Sequence, residues 1–293
     1  LRSYEGALVL LKGAAYEFAE LPPRSGRVAG DIDVMVPRER IDEVERALVG
    51  AGWRLATDDA YDERYYREWS HEIPALVHEH RETAIDLHHT LAPPLGCARP
   101  DAAALLADLR PTPLPRIRVL APADMTLHAA LHLFQEEVSR PLRDLFDIDR
   151  LLRHFGRDPA FWTRLCERAS VHRVERPLYY ALRAAGTVFR TPIPGKVVEQ
   201  MERFAPNALL AHGMDRLFDR RFRAHFVVSR GLADRAVRSA LRARSQYLRM
   251  PTSLLARHLL HKATRGARER WRRLRKQGPV QAKMVAGIAT PPD

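Results

Sequence analysis

The sequence predicts an α+β fold, in which a domain built on a mixed β-sheet is followed by an all-helical domain. Two observations carry this expectation. Up to about residue 120, short apolar runs alternate with segments that place apolar residues at helical spacing. Beyond Pro122 the helical spacing continues almost without interruption, and Pro or Gly stands near several of the breaks. We therefore expect domains at residues 1–121 and 122–277, with a flexible tail at 278–293.

The elements of the first domain follow from short apolar runs bounded by Gly, Pro or charged residues. Strands are predicted at residues 7–11, 31–36, 75–80, 84–91 and 116–120. Helices are predicted at residues 14–21, where Pro22 and Pro23 end the helix, and at residues 39–50. The second domain is predicted to be a series of helices at residues 124–137, 141–154, 159–169, 177–185, 196–204, 209–226, 232–248 and 253–277.

Positive charge is concentrated near the C-terminus. Residues 215–276 contain 19 Lys and Arg against 4 Asp and Glu, a net charge of +15 in a chain whose formal net charge is +12. Such a basic region can meet nucleic acid, an anionic lipid surface or an acidic partner. In a composition rich in Ala and Arg, Arg also covers solvated helix faces, so both interpretations stay open.

Cysteine usage and hydropathy exclude several classes of protein. The chain has two cysteines, Cys97 and Cys166, which are too few for a disulfide framework. They form no Cys-x-x-Cys pair, which excludes a zinc ribbon and a thioredoxin-like redox site. No apolar run reaches the roughly 20 residues of a transmembrane helix, and the run at residues 7–11 is too short for a signal peptide. These features predict a cytoplasmic protein. The sequence does not begin with Met, so an upstream segment with a targeting signal or a further helix is left open.

Two aspartates follow Gly30 in the second predicted strand. Alternate side chains of a strand share a face, so Asp31 and Asp33 point the same way while Ile32 and Val34 face the core. Two carboxylates about 7 Å apart on one strand face repel each other, and a divalent cation removes this cost. Mg²⁺ prefers oxygen ligands and is usually held by carboxylates together with substrate phosphates. The simpler alternative is a turn whose aspartates face water.

Lys12 and Gly13 lie at the predicted junction between the first strand and the first helix. A helix N-terminus offers free N–H groups and the positive end of a dipole, and Gly13 lets backbone approach a ligand. Lys12 is the only Lys before Lys196 in a chain that otherwise uses Arg. Because a compact ammonium is a common phosphate ligand, we predict that Lys12 and Gly13 bind phosphate. A chance Lys is the simpler alternative.

A third carboxylate stands in the strand predicted at residues 84–91. Alternation places Asp86 and His88 on one face, while Ile85 and Leu87 face the core. A neighbouring strand would bring Asp86 beside the first two aspartates, and three carboxylates can hold two metal ions. A surface position for Asp86 and a hydrogen-bonded structural role for His88 are the alternatives.

These segments together resemble an uncharacterised bacterial nucleotidyltransferase family of the DNA polymerase β-like superfamily. The resemblance covers about residues 5–155. It rests on three segments in a fixed order and on a similar helical segment at residues 140–148. The three segments are Lys12-Gly13-Ala14-Ala15, then Arg27 followed by Gly30-Asp31-Ile32-Asp33, and then Asp86-Leu87-His88.

The resemblance implies a polymerase-β-like catalytic domain that uses Mg²⁺ or Mn²⁺. It would bind a nucleoside triphosphate such as ATP, transfer the nucleotidyl group to a hydroxyl and release pyrophosphate. The acceptor stays open among a small molecule, a protein side chain and an RNA end. The implied metal ligands and catalytic residues are Asp31, Asp33 and Asp86, and the implied nucleotide-binding residues are Lys12, Gly13, Arg27, Gly30 and His88.

Two other functions remain open. A binding-only member of the same fold is one, because Ala14 and Ala15 stand where many superfamily members carry Gly-Ser. A metal-dependent hydrolase is the other, and it would require Asp86 to meet histidines from the set His78, His80, His88 and His89.

Three further side-chain patterns bear on the site. Arg24 and Arg27 precede the aspartates in a loop bounded by Pro and Gly, where either guanidinium could reach a phosphate or pair with a carboxylate. His128 and His132 lack the intervening Glu of the zinc signature, which favours helix packing. Arg143 and Asp147 lie one turn apart, which predicts a simple ion pair.

The basic helix predicted at residues 253–277 is apolar in its first half and strongly charged in its second. We expect the first half to pack on the helical domain and the second half to project into solvent. Residues 257–276 would then hold nucleic acid or an anionic surface weakly, by charge alone.

Overall fold

The computed structural model describes residues 4–27, 30–81, 83–135, 140–223 and 231–277, with side chains up to Ala267. It divides into two compact units, residues 1–250 and 251–293. The tail predicted at 278–293 lies outside the described residues, as do the ends of the helices predicted at 124–137 and 209–226.

Seven strands of the first unit form one mixed sheet. The strands are β1 Leu8–Leu10, β2 Asp31–Met35, β3 Trp53–Leu55, β4 Leu76–His78, β5 Ala84–His88, β6 Leu109–Pro111 and β7 Ile117–Leu120. Their order across the sheet is β3-β4-β5-β2-β1-β7-β6. The pairs β2–β5 and β1–β7 are parallel, and the other neighbouring pairs are antiparallel. The predicted mixed sheet is therefore confirmed.

Twelve α-helices and two short 3₁₀ turns make up the rest of the regular structure of the described residues. The helices are α1 Lys12–Phe18, α2 Ile41–Val49, α3 Ala60–Trp69, α4 Ala102–Ala107, α5 Pro122–Gln135, α6 Pro141–Phe155, α7 Pro159–His172, α8 Glu175–Phe189, α9 Gly195–Glu202, α10 Ala208–Arg223, α11 Leu232–Arg249 and α12 Thr252–Gln277. The 3₁₀ turns are Pro22–Arg24 and Arg38–Arg40. The predicted change from strands to helices falls between β7 and α5.

Helix α5 joins the sheet to the helices that follow it. Almost all of its side chains are buried, because it carries apolar residues around its whole circumference. It contacts β7 and α1 on the sheet side, and α6, α7, α8 and α11 on the helical side. One hydrophobic core therefore runs from β1 to α10. The domain boundary near Ala121 coincides with the start of α5 and stays a prediction.

Four described elements were not expected from the sequence, namely β3, α3, α4 and β6. Helix α3 is capped by Asp59, which accepts hydrogen bonds from the N–H groups of Tyr61 and Asp62. Only Tyr65 of this helix is fully buried, so its apolar periodicity is weak. Strand β6 ends at Pro111 and lies at the edge of the sheet, which is where a strand tolerates Pro.

The basic segment at the C-terminal end forms a helix, as predicted. Helix α12 spans Thr252–Gln277 and belongs to the second compact unit. Among the described residues, no helix has both the length and the apolar character needed to cross a membrane.

Candidate active site

The three predicted carboxylates lie on two neighbouring parallel strands at the centre of the sheet. Asp33 of β2 is directly opposite Asp86 of β5, and Asp31 precedes Asp33 by two residues on the same face. Adjacent strands are about 4.8 Å apart, so the side chains of an in-register pair are close neighbours. Ile85, Leu87 and Val34 occupy the opposite face and are buried. The alternation predicted from the sequence thus brings the carboxylates together.

The carboxylates have different environments, and their acidities diverge. Asp31 is exposed, Asp86 is half-buried and Asp33 is buried. Burial alone would raise the pKa of Asp33, but a hydrogen bond from His88 and the charge of Lys12 outweigh it and hold this pKa well below its usual range. The pKa of Asp86 is raised by burial and by the negative charges of Asp33 and Asp31. The protein therefore favours the ionised form of Asp33 and disfavours the ionised form of Asp86.

Lys12 reaches this cluster because of how the first strand ends. The N–H of Leu11 donates to the carbonyl of Asp33 at 2.9 Å, which continues the β1–β2 ladder by one residue. Lys12 then begins α1 with a left-handed backbone angle, φ 44°, which is a strained conformation for a side chain other than Gly. Its Nζ donates to Oδ1 of Asp33 at 2.8 Å. The helix begins two residues earlier than predicted, at Lys12 itself.

His88 lies behind Asp33, away from solvent. It is 1% exposed, and its Nε2 lies 3.2 Å from Oδ1 of Asp33 and 3.5 Å from Oε2 of Glu72. Burial alone would lower the pKa of His88, but the bond to Asp33 and the charge of Glu72 outweigh it, so this pKa is raised. This arrangement favours a role for His88 in orienting Asp33. Direct contact between His88 and a nucleotide stays a prediction.

Gly13, which follows Lys12, makes a second contact in this region, with Arg27. A Cβ on Gly13 would come within 2.7 Å of Nε of Arg27, so Gly at this position makes room for the guanidinium. That group lies over the ring of Tyr16, 5.3 Å from the ring centre, and donates to the carboxylate of Asp147 on α6. Of the two roles open to Arg27 in the sequence, contact with a carboxylate is the one this geometry supplies. A nucleotide contact stays a prediction.

The ion pair expected between Arg143 and Asp147 is not formed. Asp147 pairs with Arg27, whereas Arg143 donates to Oδ1 of its neighbour Asp144 at 2.7 Å. Helical spacing predicts only contacts within α6, and the competing partner of Asp147 comes from a loop 120 residues away in sequence. Arg143 is half-exposed. Burial alone would lower its pKa, but the charge and hydrogen bond of Asp144 outweigh burial, and the charges of Asp147 and Asp31 add smaller increases, so this pKa is raised.

The remaining predicted residues are more dispersed. Gly30 is exposed at the start of β2, with open space where a Cβ would stand. His78 pairs with Trp53 across β3 and β4 and lies on the opposite face of the sheet from Asp86. Of the four histidines considered for a hydrolase site, His88 contacts Asp33, whereas His89 bonds to the carbonyl of Ser70.

His128 and His132 behave differently from each other on α5. His128 is buried, and burial followed by the charge of Lys12 holds its pKa well below the usual range. His132 is half-buried, and its Nδ1 lies 3.7 Å from Asp144. Both positions are compatible with the helix-packing role predicted for them.

Glu72 is the neighbour of the site that sequence reasoning missed. It forms an isolated antiparallel bridge with His88, on the side of β5 away from β2. Its carboxylate therefore faces the same imidazole as Asp33 does. The only local signal was the pair His71-Glu72, just before the strand predicted at 75–80. The sequence did not indicate that this pair would lie beside the strand that carries His88.

The donor chemistry of Asp31, Asp33 and Asp86 fits a hard divalent cation. All three offer carboxylate oxygens, which Mg²⁺ and Mn²⁺ prefer. Burial, followed by the negative charge of Asp33, raises the pKa of Asp86, and a cation bound here would offset both effects. Lys12 supplies part of the positive charge that compensates the carboxylates, through its contact with Asp33.

Comparison with known proteins identifies the family. A family model described as uncharacterised nucleotidyltransferase matches residues 1–190, which include every residue assigned to this site. None of the curated proteins compared with the chain matches it. Among solved structures, the solution structure of the antibiotic-resistance factor ANT(2'')-Ia matches with 16% identity and a TM-score of 0.35, over 62% of this chain and 88% of that one. Since the family model spans well over half of the sequence, this chain belongs to the uncharacterised nucleotidyltransferase family.

Proposed function

We propose that the protein transfers a nucleoside monophosphate from a nucleoside triphosphate, ATP among them, to a hydroxyl acceptor, and that the reaction requires Mg²⁺ or Mn²⁺. One observation carries the proposal. Asp33 and Asp86 stand in register on adjacent parallel strands, with Asp31 on the same face and Lys12 in contact. Membership of a nucleotidyltransferase family supports the reaction class.

Asp31, Asp33 and Asp86 would hold the divalent cations. When bound, such ions neutralise the triphosphate and lower the pKa of an attacking hydroxyl. His88 orients Asp33 through its hydrogen bond, so that the same carboxylate oxygen is held in a fixed position. The low pKa of Asp33 keeps this carboxylate ionised throughout the physiological pH range.

Lys12 is the proposed phosphate ligand. Its ammonium lies at the edge of the carboxylate cluster, and its side chain is 19% exposed, so a triphosphate can reach it. A compact ammonium binds phosphate as a point charge. The exposed backbone of Gly30 leaves the adjoining part of β2 open to the same ligand. Gly13 acts through packing in this proposal, since it accommodates Arg27 beside Lys12.

Asp86 is the proposed proton acceptor. The acceptor oxygen attacks the α-phosphorus, the bond from that phosphorus to pyrophosphate breaks, and the proton of the hydroxyl passes to a carboxylate oxygen. A carboxyl group whose pKa is raised holds such a proton more readily, and Asp86 has this property, whereas the pKa of Asp33 is lowered. Its half-buried position keeps it accessible from the side of Asp31.

The acceptor's class is left to experiment. A small molecule, a protein side chain and an RNA end each present a hydroxyl. Helix α6 contributes to the surroundings of the site through Asp147 and Arg143, so residues beyond Ala121 are expected to shape acceptor choice.

The test is incubation with labelled nucleoside triphosphates, Mg²⁺ or Mn²⁺, and pools of the three acceptor classes. We expect release of pyrophosphate and labelling of one pool. The variant Asp31→Asn should abolish both, whereas Asp42→Asn, at an exposed position of α2, should not. An absence of transfer, together with an absence of metal-dependent nucleotide binding by calorimetry, would refute the proposal.

A binding-only member of the family is the second candidate. The observation that favours it is the pair Ala14 and Ala15, which removes the hydroxyl that many superfamily members bring to the phosphate. Metal-dependent nucleotide binding without pyrophosphate release would support this candidate. The variant Lys12→Gln should then weaken nucleotide binding, as it should in an active enzyme.

A further inference from the structure

A cluster of two imidazoles and one carboxylate lies directly behind the aspartates. His71, Glu72 and His88 each offer one ligand atom, and these atoms all lie within 4.8 Å of one another. Among the described residues this is the one group of three His, Cys, Asp or Glu side chains that converges so closely. Asp31, Asp33 and Asp86 do not form such a group, so the cluster is a separate arrangement from the carboxylate site.

The fold builds this cluster from backbone pairing. The N–H of Ile73 donates to the carbonyl of Leu87 at 3.0 Å, and the N–H of His89 donates to the carbonyl of His71 at 2.9 Å. These two bonds hold the segment that precedes β4 against the end of β5. As a result Glu72 stands opposite His88. The ligand atoms are therefore fixed by main-chain contacts and do not depend on flexible side chains alone.

The distances between the ligand atoms suit a small tetrahedral ion. Nε2 of His88 lies 3.5 Å from Oε2 of Glu72, and Nε2 of His71 lies 3.9 Å from the same oxygen. Ligands at about 2.1 Å from a tetrahedral Zn²⁺ are separated by roughly 3.4 Å. A contraction of a few tenths of an ångström would thus bring each histidine and Glu72 to this separation, and the two imidazole ligand atoms already lie within 4.8 Å of each other. Both histidines are almost completely buried, whereas the side chain of Glu72 is 20% exposed and provides a path from solvent.

We propose that His71, Glu72 and His88 form a binding site for Zn²⁺. Two neutral imidazoles and one carboxylate are a ligand set that zinc accepts, with a fourth position open to water. The same set is poorly suited to Mg²⁺, which prefers oxygen. The molecule thus has two sites of different ligand chemistry side by side. Neither the family description nor the proposed transfer reaction includes the nitrogen-containing one.

Occupation of this site would change the environment of Asp33. Nε2 of His88 is the atom that contacts both Asp33 and Glu72, at 3.2 Å and 3.5 Å. An imidazole nitrogen that binds zinc has no proton to donate, so zinc and the His88–Asp33 hydrogen bond exclude each other. Nδ1 of His88 has no hydrogen-bond partner among the described residues, so no bond at this nitrogen fixes the tautomer.

The experiment uses the full-length, untagged chain after treatment with a chelator. Zn²⁺ is titrated in competition with a chromophoric chelator, and Co²⁺ is then used as a spectroscopic substitute. We expect one Zn²⁺ per chain and the strong visible absorption of four-coordinate Co²⁺. The variants Glu72→Gln and His71→Gln should each weaken Zn²⁺ binding by at least about 100-fold. Glu72→Gln preserves side-chain size at a partly exposed position, and thermal unfolding of each variant verifies that it is folded.

Two control variants keep the proposal falsifiable. His80→Gln removes an exposed histidine outside the cluster, and Asp31→Asn removes a carboxylate of the proposed transfer site. Both should bind Zn²⁺ with an affinity within about threefold of the unmodified chain, since neither supplies a ligand. An absence of stoichiometric Zn²⁺ binding would overturn the proposal. So would loss of Zn²⁺ binding in Asp31→Asn with retention in Glu72→Gln, because the aspartates would then be the zinc ligands. Neither outcome depends on nucleotidyl transfer.

Discussion

The ammonium of Lys12 lies 2.8 Å from Oδ1 of Asp33, in contact with a carboxylate that the proposed reaction assigns to a divalent cation. Lys12 and the cation therefore compete for the same oxygen in the absence of nucleotide. Under the proposed function, a bound triphosphate gives the ammonium a second anionic partner, so that the ammonium would leave Asp33 to the cation. Lys12 is therefore expected to oppose cation binding and to favour nucleotide binding.

The variant Lys12→Gln should separate these effects. We expect Mn²⁺ to bind the nucleotide-free variant at least as tightly as the unmodified chain, because the competing charge is gone. Nucleotide affinity should fall by about 10–100-fold, as expected when a phosphate contact worth roughly 1.5–3 kcal/mol is lost. Electron paramagnetic resonance of Mn²⁺ and calorimetry with a non-hydrolysable nucleotide measure the two affinities. Lys196→Gln, at an exposed position of α9, is the matched control. Equal losses of both affinities would contradict the competition.

Replacement of Asp86 should lower the rate of transfer without lowering the stability of the fold. Burial and the charges of Asp33 and Asp31 raise its pKa, so the ionised form destabilises the metal-free fold. The variant Asp86→Asn should therefore unfold at the same or a higher temperature, with a gain of roughly 0.5–2 kcal/mol. Transfer should fall by about 10²–10⁴-fold because the proton acceptor is lost. Calorimetric melting without metal, together with pyrophosphate release, gives both values. A marked loss of stability would show that Asp86 has a structural role.

The contact between Arg27 and Asp147 ties the loop before β2 to α6. Both side chains are largely buried, at 13% and 6% exposure, so removal of one partner leaves an uncompensated charge. Arg27→Met should cost about 3–5 kcal/mol in the free energy of unfolding. Asp147→Asn should cost less, because burial raises the pKa of Asp147 to about 6 even beside Arg27 and so disfavours its ionised form. The double variant should recover about 1–3 kcal/mol of the summed losses. Urea unfolding measures the cycle.

Nucleotide affinity of the same variants distinguishes the two roles considered for Arg27. If Arg27 acts only through Asp147, Arg27→Met and Asp147→Asn should change nucleotide affinity equally. A loss confined to the variants without Arg27 would support the direct nucleotide contact that the sequence resemblance implies.

The sequence was sufficient for the parts of the site that depend on local geometry. Side-chain alternation is a property of a single strand, so the shared face of Asp31 and Asp33 followed without knowledge of the sheet. The junction at Lys12 followed in the same way from a short apolar run and the helical pattern after it. That Asp86 could lie beside the first two aspartates was an expectation about a neighbouring strand, and the β2–β5 pairing provides that strand. The register, with Asp33 opposite Asp86, was not predicted.

Contacts between distant segments were beyond the sequence. Asp147 could be assigned only to a partner within its own helix, because helical spacing is the only geometry that a single sequence supplies. Its actual partner, Arg27, depends on how α6 packs against the first 3₁₀ turn. Glu72 was missed for a similar reason, since its bridge to His88 depends on which segment lies beside β5. Short elements such as β3 gave too few residues for a period to be recognised.

His89 should make the fold sensitive to acid. Burial and the charge of Arg38 lower its pKa to about 4, compared with about 6.5 in the unfolded chain. Between these values the unfolded chain binds the proton more strongly, so the stabilisation from neutral His89 is present above pH 6.5 and is lost as the pH falls towards 4. The stability difference between the unmodified chain and His89→Gln should shrink by about 2 kcal/mol from pH 7 to pH 5. Urea unfolding of both proteins at the two pH values measures it, and an unchanged difference would contradict the prediction.

The second half of α12 should bind anions by charge alone. Residues 257–276 carry nine Lys and Arg against one Glu, whereas the residues assigned to transfer all lie before Ser170. Deletion of residues 265–293 should therefore leave nucleotidyl transfer unchanged. The deletion variant should bind RNA, or vesicles with anionic lipid, more weakly than the full chain does when both are measured at low salt. In the full chain the same binding should fall steeply with rising salt, because it depends on counterion release.

A second variant separates charge from length in this test. In it, the basic residues from Arg265 onward are replaced by Gln in the full-length chain. We expect this variant to lose anion binding as the deletion variant does. The slope of the logarithm of the binding constant against the logarithm of the salt concentration should become shallower by roughly one unit for each phosphate contact removed. Unchanged RNA and vesicle binding in both variants would show that the basic residues only solvate the helix. A loss of transfer to RNA acceptors alone would instead assign this region to acceptor recognition.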